Sequence, residues 1–146
     1  MKPLRPGSFA SATPRVVHLQ GPIPFRSAEE EGVEIGIFAW VNLDTGIVDN
    51  TRQRLTDQIG IVLPIINGQA VSPLQELVPP KYEVSLAMRG DFYIRFLRGA
   101  NVGEVVYAKV LDGMPVSGET SDAQATPWHV VTNCAPGELA IISTWR

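Results

Sequence analysis

From about Glu34 to Trp145 the chain is a succession of short apolar runs, each cut off by Gly, Pro, Asn or Asp. This punctuation constrains the fold more than any other feature. An amphipathic helix needs about ten or more residues at a 3.6 period, whereas a strand needs only about four to eight. Tyr82 to Arg89 displays the shorter period directly. Tyr82, Val84, Leu86 and Met88 fall on one side of an extended chain, with Glu83, Ser85 and Arg89 opposite.

Further strands are expected over Val33–Val41, from Ile47, over Ile59–Ile66, Phe92–Leu97 and Gly103–Leu111, and over Trp128–Thr132 and Leu139–Trp145. The nearly unbroken apolar run Ile59–Ile66 predicts a strand covered on both faces. Pro64 inside it demands an edge position or a bulge, because proline cannot donate to a ladder. Asp44-Thr45-Gly46 and Asp112-Gly113 read as hairpin turns, and Ser117 to Thr126 as a surface loop. Ser72-Pro73-Leu74-Gln75 is a helix start, stopped within about two turns by Pro79-Pro80. The expectation is an all-β chain: a single β-sandwich or barrel-like domain with at most one short helix.

The N-terminal segment is different. Lys2, Arg5, Arg15 and Arg26 all precede the first acidic residue, Glu29, so this leader carries +4 and the remainder −7, which sum to the net −3. It also holds Pro3, Pro6, Pro14, Pro22 and Pro24. Proline fixes φ and removes a donor, so residues 1–28 are expected to form an extended arm and residues 29–146 the β domain. Phe9 and the arginines are the arm's natural grips on a neighbouring subunit.

Charged residues are only 18% of the chain, below the roughly one quarter usual for soluble domains. That deficit suggests a surface partly covered by other subunits. A net charge of −3 speaks against binding to a phosphate backbone. Cys134 is the only cysteine, so it has no intrachain disulfide partner. No apolar h-region follows Met1-Lys2-Pro3, and no run approaches the roughly 18 apolar residues of a membrane span. The expectation is a soluble, unanchored chain without a secretory signal.

No set of residues converges on chemistry. Asp44-Thr45-Gly46 is the tripeptide of retropepsin-like aspartic proteases, in which two subunits each supply one Asp and the pair shares a proton. Here Ile47 stands where that class wants a small residue. Ile65-Ile66-Asn67-Gly68, the nearest match to its supporting strand end, is interrupted and too close. Ordinary hairpin chemistry accounts for the tripeptide. His129 and Cys134 are too few for a zinc site, with His18 the only other histidine. Gly99 to Gly103 lacks the lysine of a phosphate loop. Trp40, Trp128 and Trp145 lack basic neighbours for stacking on bases, which points to burial in the core or at an interface. No catalytic residue, cofactor or metal ligand is expected, and no enzymatic activity.

Four stretches, in order, carry a resemblance. They are Phe38-Ala39-Trp40 through Asp44-Thr45-Gly46 to Asn50-Thr51; Gly90-Asp91-Phe92-Tyr93; Val102 to Ala108 running on to Asp112-Gly113; and Pro136-Gly137-Glu138-Leu139 ending at Ile142-Ser143-Thr144-Trp145. Over residues 33–146 the chain resembles the structural cement, or decoration, proteins of tailed-bacteriophage heads. The resemblance implies a β-rich homo-oligomer, dimer or trimer, made in the host cytoplasm. It would bind the outer surface of the assembled head, where it would staple major capsid protein subunits together, with no nucleic acid or membrane partner. Arg5, Phe9, Arg15, Arg26 and Trp145 are the expected contacts with capsid or sister subunits. Another virion or tail structural module is the alternative within the same class, and a retropepsin-like aspartic protease built on Asp44-Thr45-Gly46 is the alternative from the enzyme class.

Overall fold

The computed structural model describes residues 17–19, 24–27, 31–72 and 74–145. Every regular element among them is a strand. In chain order these are β1 (Val17–Leu19), β2 (Arg26–Ser27), β3 (Val33–Glu34), β4 (Phe38–Val41), β5 (Ile47–Asp49), β6 (Gln58–Ile66) and β7 (Gln69–Ala70). They continue with β8 (Leu77–Val78), β9 (Val84–Arg89), β10 (Asp91–Phe96), β11 (Val105–Lys109), β12 (Pro115–Ser117), β13 (Ala123–Val130) and β14 (Glu138–Ser143). The larger sheet runs β1-β9-β6-β4-β5-β2, with β7 added to β6; the second runs β10-β14-β13-β11-β12; and β3 pairs with β8 alone. The all-β expectation is borne out, as a pair of curled sheets packed like a half-barrel on a sandwich.

The larger sheet bends back on itself. β2 lies parallel to β5 through Arg26–Ile47 and Ser27–Val48. It also bonds to the lead-in of β9, where Val84 N donates to Phe25 O at 3.0 Å and Ser27 N to Tyr82 O at 3.0 Å. Inside this curl lie Phe25, Val33, Ala39, Val41, Val62 and Leu86, all buried. Two stretches of the proline-rich leader are therefore strands of the sheet, and Phe25 and Ser27 are buried in it.

The main core fills the space between the sheets. Phe38, Trp40, Ile61 and Leu63 project into it from the larger sheet and Phe92, Phe96, Trp128 and Ile142 from the smaller. β4 and β6 thus serve two cores at once. Phe38 and Trp40 face one, while Ala39 and Val41 face the other. The prediction of a strand covered on both faces holds for β6, and the pairing with β9 slips between Val62 and Ile66. Pro64 sits in that bulge, one of the places a strand tolerates proline.

Trp128 donates its indole N–H to Gly90 O at 2.9 Å, and Trp40 donates to Gln124 Oε1 at 3.0 Å. Core burial of these two tryptophans is as expected. In the second sheet the β11–β13 register slips at Thr126-Pro127-Trp128. There the buried Thr126 hydroxyl donates to Val106 O at 2.7 Å and accepts from Trp128 N at 3.2 Å, repairing the ladder.

Three expectations fail. No helix follows Ser72. Leu74 N donates to Ser72 Oγ and Gln75 N to Ser72 O, a single turn, after which Leu77-Val78 pairs with β3. Val78 is fully buried, and that burial outweighs a helix too short to offset its own nucleation. Val33–Val41 is two strands in different sheets rather than one, broken at Gly36, where φ is 86°. The loop expected over 117–126 is shorter, confined to residues 118–122, since β12 reaches Ser117 and β13 starts at Ala123.

Candidate interaction surface

The Asp44-Thr45-Gly46 turn is a hairpin, but its cap is not the aspartate. Asn42 Oδ1 accepts from Asp44 N at 2.9 Å and Thr45 N at 3.3 Å, and Gly46, at φ 76°, returns its N–H to Asn42 O at 2.6 Å. The Asp44 side chain is 82% exposed and lies 3.3 Å from Arg54. Hydrogen bonds from Arg54 to Asp57 and then Asp44 hold its guanidinium more firmly protonated than usual. The geometry is that of a surface ion pair.

His129 pairs across strands with Val105 and Ser143, while Cys134 lies in a bridge with Ala100. Burial pushes the Cys134 thiol up, and Glu138 adds to this against the pull of the Ala100 backbone. Among the described residues no group of three His, Cys, Asp or Glu is placed to hold a metal. No helix among them is long and apolar enough to cross a membrane.

A surface hollow among the described residues opens where the sheets meet. Gln58 and Ile59 come from the head of β6, Met88 and Arg89 from the end of β9, and Pro127 from the β13 bulge. Thr144 and Trp145, just past β14, complete a groove of about 580 Å³. The C-terminal side is held in place by hydrogen bonds: Thr144 Oγ1 accepts from Gly90 N at 3.0 Å, and Ser143 Oγ from Trp145 N at 2.9 Å. Trp145 and Ile59 are half-buried and Met88 is 38% exposed, so apolar side chains line the trough beside the polar Gln58, Arg89 and Thr144. Val17 pairs with Arg89, bringing β1 to the same end of β9.

A smaller hollow of about 320 Å³ lies at the seam of the second curl, beside Leu97, Arg98, Lys109, Met114 and Val116. Nearby, a hydrogen bond from Thr120 at 2.7 Å keeps the Asp122 carboxyl below its usual range, with Lys109 and Arg98 contributing less. Leu97, Val102 and Leu111 stand 61%, 56% and 75% exposed on loops of this sheet.

Of the residues singled out in the sequence, Arg5, Phe9 and Arg15 lie outside the described residues. Arg26 is exposed on β2, its backbone N–H bonded to Gly46 O at 2.7 Å. Arg26 faces Glu83, ahead of β9, while Trp145 lies by Arg89 at the far end. Six strand positions separate them, about 20 Å, so the two do not form one site. Sequence reasoning missed Met88, Ile59 and Pro127. Met88 follows the apolar alternation of its strand, but the strand outruns the core that covers Val84 and Leu86.

The family described as XM1 gp53 minor capsid protein matches the chain over residues 1–144. A solved chain described under "The capsid of Myoviridae Phage XM1" superposes with a TM-score of 0.60 at 17% identity, covering 99% of this chain and 91% of that one. At that identity the likeness is one of fold. No curated protein matches the sequence.

Proposed function

Because this chain belongs to the XM1 gp53 minor capsid protein family, a structural family of the phage head, we infer that it acts as a decoration or cement protein. It binds the outer surface of the assembled head and stabilises contacts between major capsid protein subunits. The observation that carries this reading is the family match, which spans nearly the whole chain and includes the leader.

The surface supports it. Leu97, Val102 and Leu111 expose apolar side chains on loops, where a partner's surface would cover them. A cement protein needs complementary surface and multivalency rather than catalysis. Several weak contacts on one homo-oligomer, a dimer or trimer, act at high effective concentration and sum to firm attachment. Arg5, Phe9 and Arg15 on the leader, with Arg26 and Trp145 on the folded part, supply contacts with the shell or with sister copies. Residues 1–28 act as the arm and 29–146 carry the body, anchored by the leader strands β1 and β2.

The test is co-sedimentation of purified protein with phage heads that lack it, combined with heat challenge of the decorated heads. Saturable binding at a fixed ratio to the major capsid protein, with a raised disruption temperature, is the expected result. Binding to tails and not heads would assign the chain to another virion module. Failure to bind either would sink the reading.

A further inference from the structure

The turn between β6 and β7 holds a reactive pair. Of the five asparagines in the chain, only Asn67 precedes a glycine. Such a pair is open to ring closure, because glycine has no side chain to keep its nitrogen from the neighbouring carboxamide. Ile66 pairs with Gln69, so Asn67 and Gly68 form a two-residue hairpin turn, with φ of 52° and 78°. Positive φ at both positions is type I′ geometry, and both residues are exposed. The Asn67 carboxamide is clasped. Its Oδ1 accepts from Glu83 N at 2.8 Å, while Asn67 N donates to Glu83 O at 3.2 Å. A residue in the left-handed region has ψ of about +30 to +60°, which sets the next nitrogen anti to Cβ across the Cα–C bond. Closure of a five-membered ring needs that nitrogen on the same side as Cβ. The native turn therefore keeps the Gly68 nitrogen away from the carbon it would attack.

We propose that Asn67-Gly68 is a deamidation site that the fold keeps closed, so that the modification falls on chains whose β6–β7 turn has opened. The step needs only water. Gly68 N gives its proton to solvent base and bonds to Cγ of Asn67, and Nδ2 leaves as ammonia, which forms a cyclic imide. Water then splits one of the two C–N bonds of the ring. Breaking the Cγ–N bond leaves aspartate. Breaking the bond to the backbone carbonyl leaves isoaspartate, whose main chain runs through Cβ. Aspartate keeps an oxygen for Glu83 N, so the clasp survives. Isoaspartate adds a carbon to a turn of two residues, and the pairs Ile66–Gln69 and Ile65–Ala70 lose their register. It also releases Glu83, which faces Arg26 on the strand that closes the larger sheet. The proposal concerns the isolated chain and is independent of binding to heads.

Ageing the full chain at pH 8, folded and in urea, tests it. Deamidation is read by mass spectrometry on the tryptic peptide Leu55–Lys81, in which Asn67 is the only asparagine. Isoaspartate is read by methyl transfer from an isoaspartyl methyltransferase, and folding by near-ultraviolet circular dichroism. Reaction at Asn67 is expected to run at least about tenfold slower in the folded chain, as it does when the turn is open less than about a tenth of the time. Glu83→Pro removes the N–H that clasps the carboxamide. It is expected to raise the folded-state rate about fivefold, which corresponds to about 1 kcal/mol, while Glu83→Ala, which keeps the N–H, ages like the wild type. Equal rates in the folded chain and in urea overturn the proposal, as does an Asn67 that stays intact in urea. A folded Glu83→Pro chain that ages at the wild-type rate also overturns it, by removing the clasp. If that variant does not fold, the ratio of native to urea rates in the wild type decides.

Discussion

At the scale of single residues, the turns show how local chemistry is shared out. Asn42 accepts two backbone N–H groups and the Arg54 guanidinium, at 2.9 Å, whereas Asp44 contributes only an exposed ion pair. Asp44→Asn is therefore expected to change stability by less than about 0.5 kcal/mol, and Asn42→Ala to cost about 1–2 kcal/mol, read from urea midpoints. The reverse ranking would show that the aspartate organises the turn. Gly113 has φ 76° and donates to Lys109 O at 2.8 Å; a Cβ there would lie 2.0 Å from Phe38 O. Gly113→Ala must strain the turn and push β11–β12 off β4, a loss of about 2–4 kcal/mol. A midpoint unchanged in urea would contradict that contact. Burial raises the Cys134 thiol, so its contribution to stability is intact below the unfolded thiol value and declines as pH rises through the folded one. Maleimide should label Cys134 more slowly in the native chain than in urea at pH 8, with the gap closing at higher pH. Equal rates at pH 8 would remove the effect.

At the scale of elements, the leader is divided. β1 and β2 are paired, and β2 joins β5 to the lead-in of β9, where the sheet's curl closes. Ser27 also donates its hydroxyl to Val78 O at 3.2 Å, tying β2 to the small β3–β8 ladder. Deleting residues 1–16 is expected to leave thermal unfolding near wild type. Deletion through Ser27 removes buried Phe25 and the closing strand, and is expected to cost at least about 3 kcal/mol. Equal melting temperatures for the two truncations would mean that β2 closes nothing. Proline content foretold an extended leader, and extended it is where described; its recruitment into the sheet was hidden because Phe25 and Ser27 bond to residues more than fifty positions away.

At the scale of the molecule, two curled sheets share a core, and loops and arm are left to make contacts. The leader's +4 charge invites an acidic face on the shell. Affinity for heads should then fall as salt is raised past about 0.15 M, where the screening length is about 8 Å, and fall less for a chain lacking residues 1–16. Identical salt dependence in equilibrium binding would take the arm's charge out of the interaction. The reading as a head structural protein was accessible from four short stretches in order, since their strand-and-turn grammar is local. The groove was not, because its walls come from β6, β9, β13 and the end of the chain.

The residues alone determined that the chain would be built of strands, where most of them lie, and that Ile59–Ile66 would be covered on both sides. Those outcomes follow from side-chain periodicity and turn chemistry, which act over a few positions. Tertiary structure alone decided that Val33–Val41 splits between two sheets, that Ser72 starts no helix, and that Met88 and Trp145 meet across a groove. Each of these depends on which distant strand covers a face, and burial against that strand outweighs the local preference of the segment.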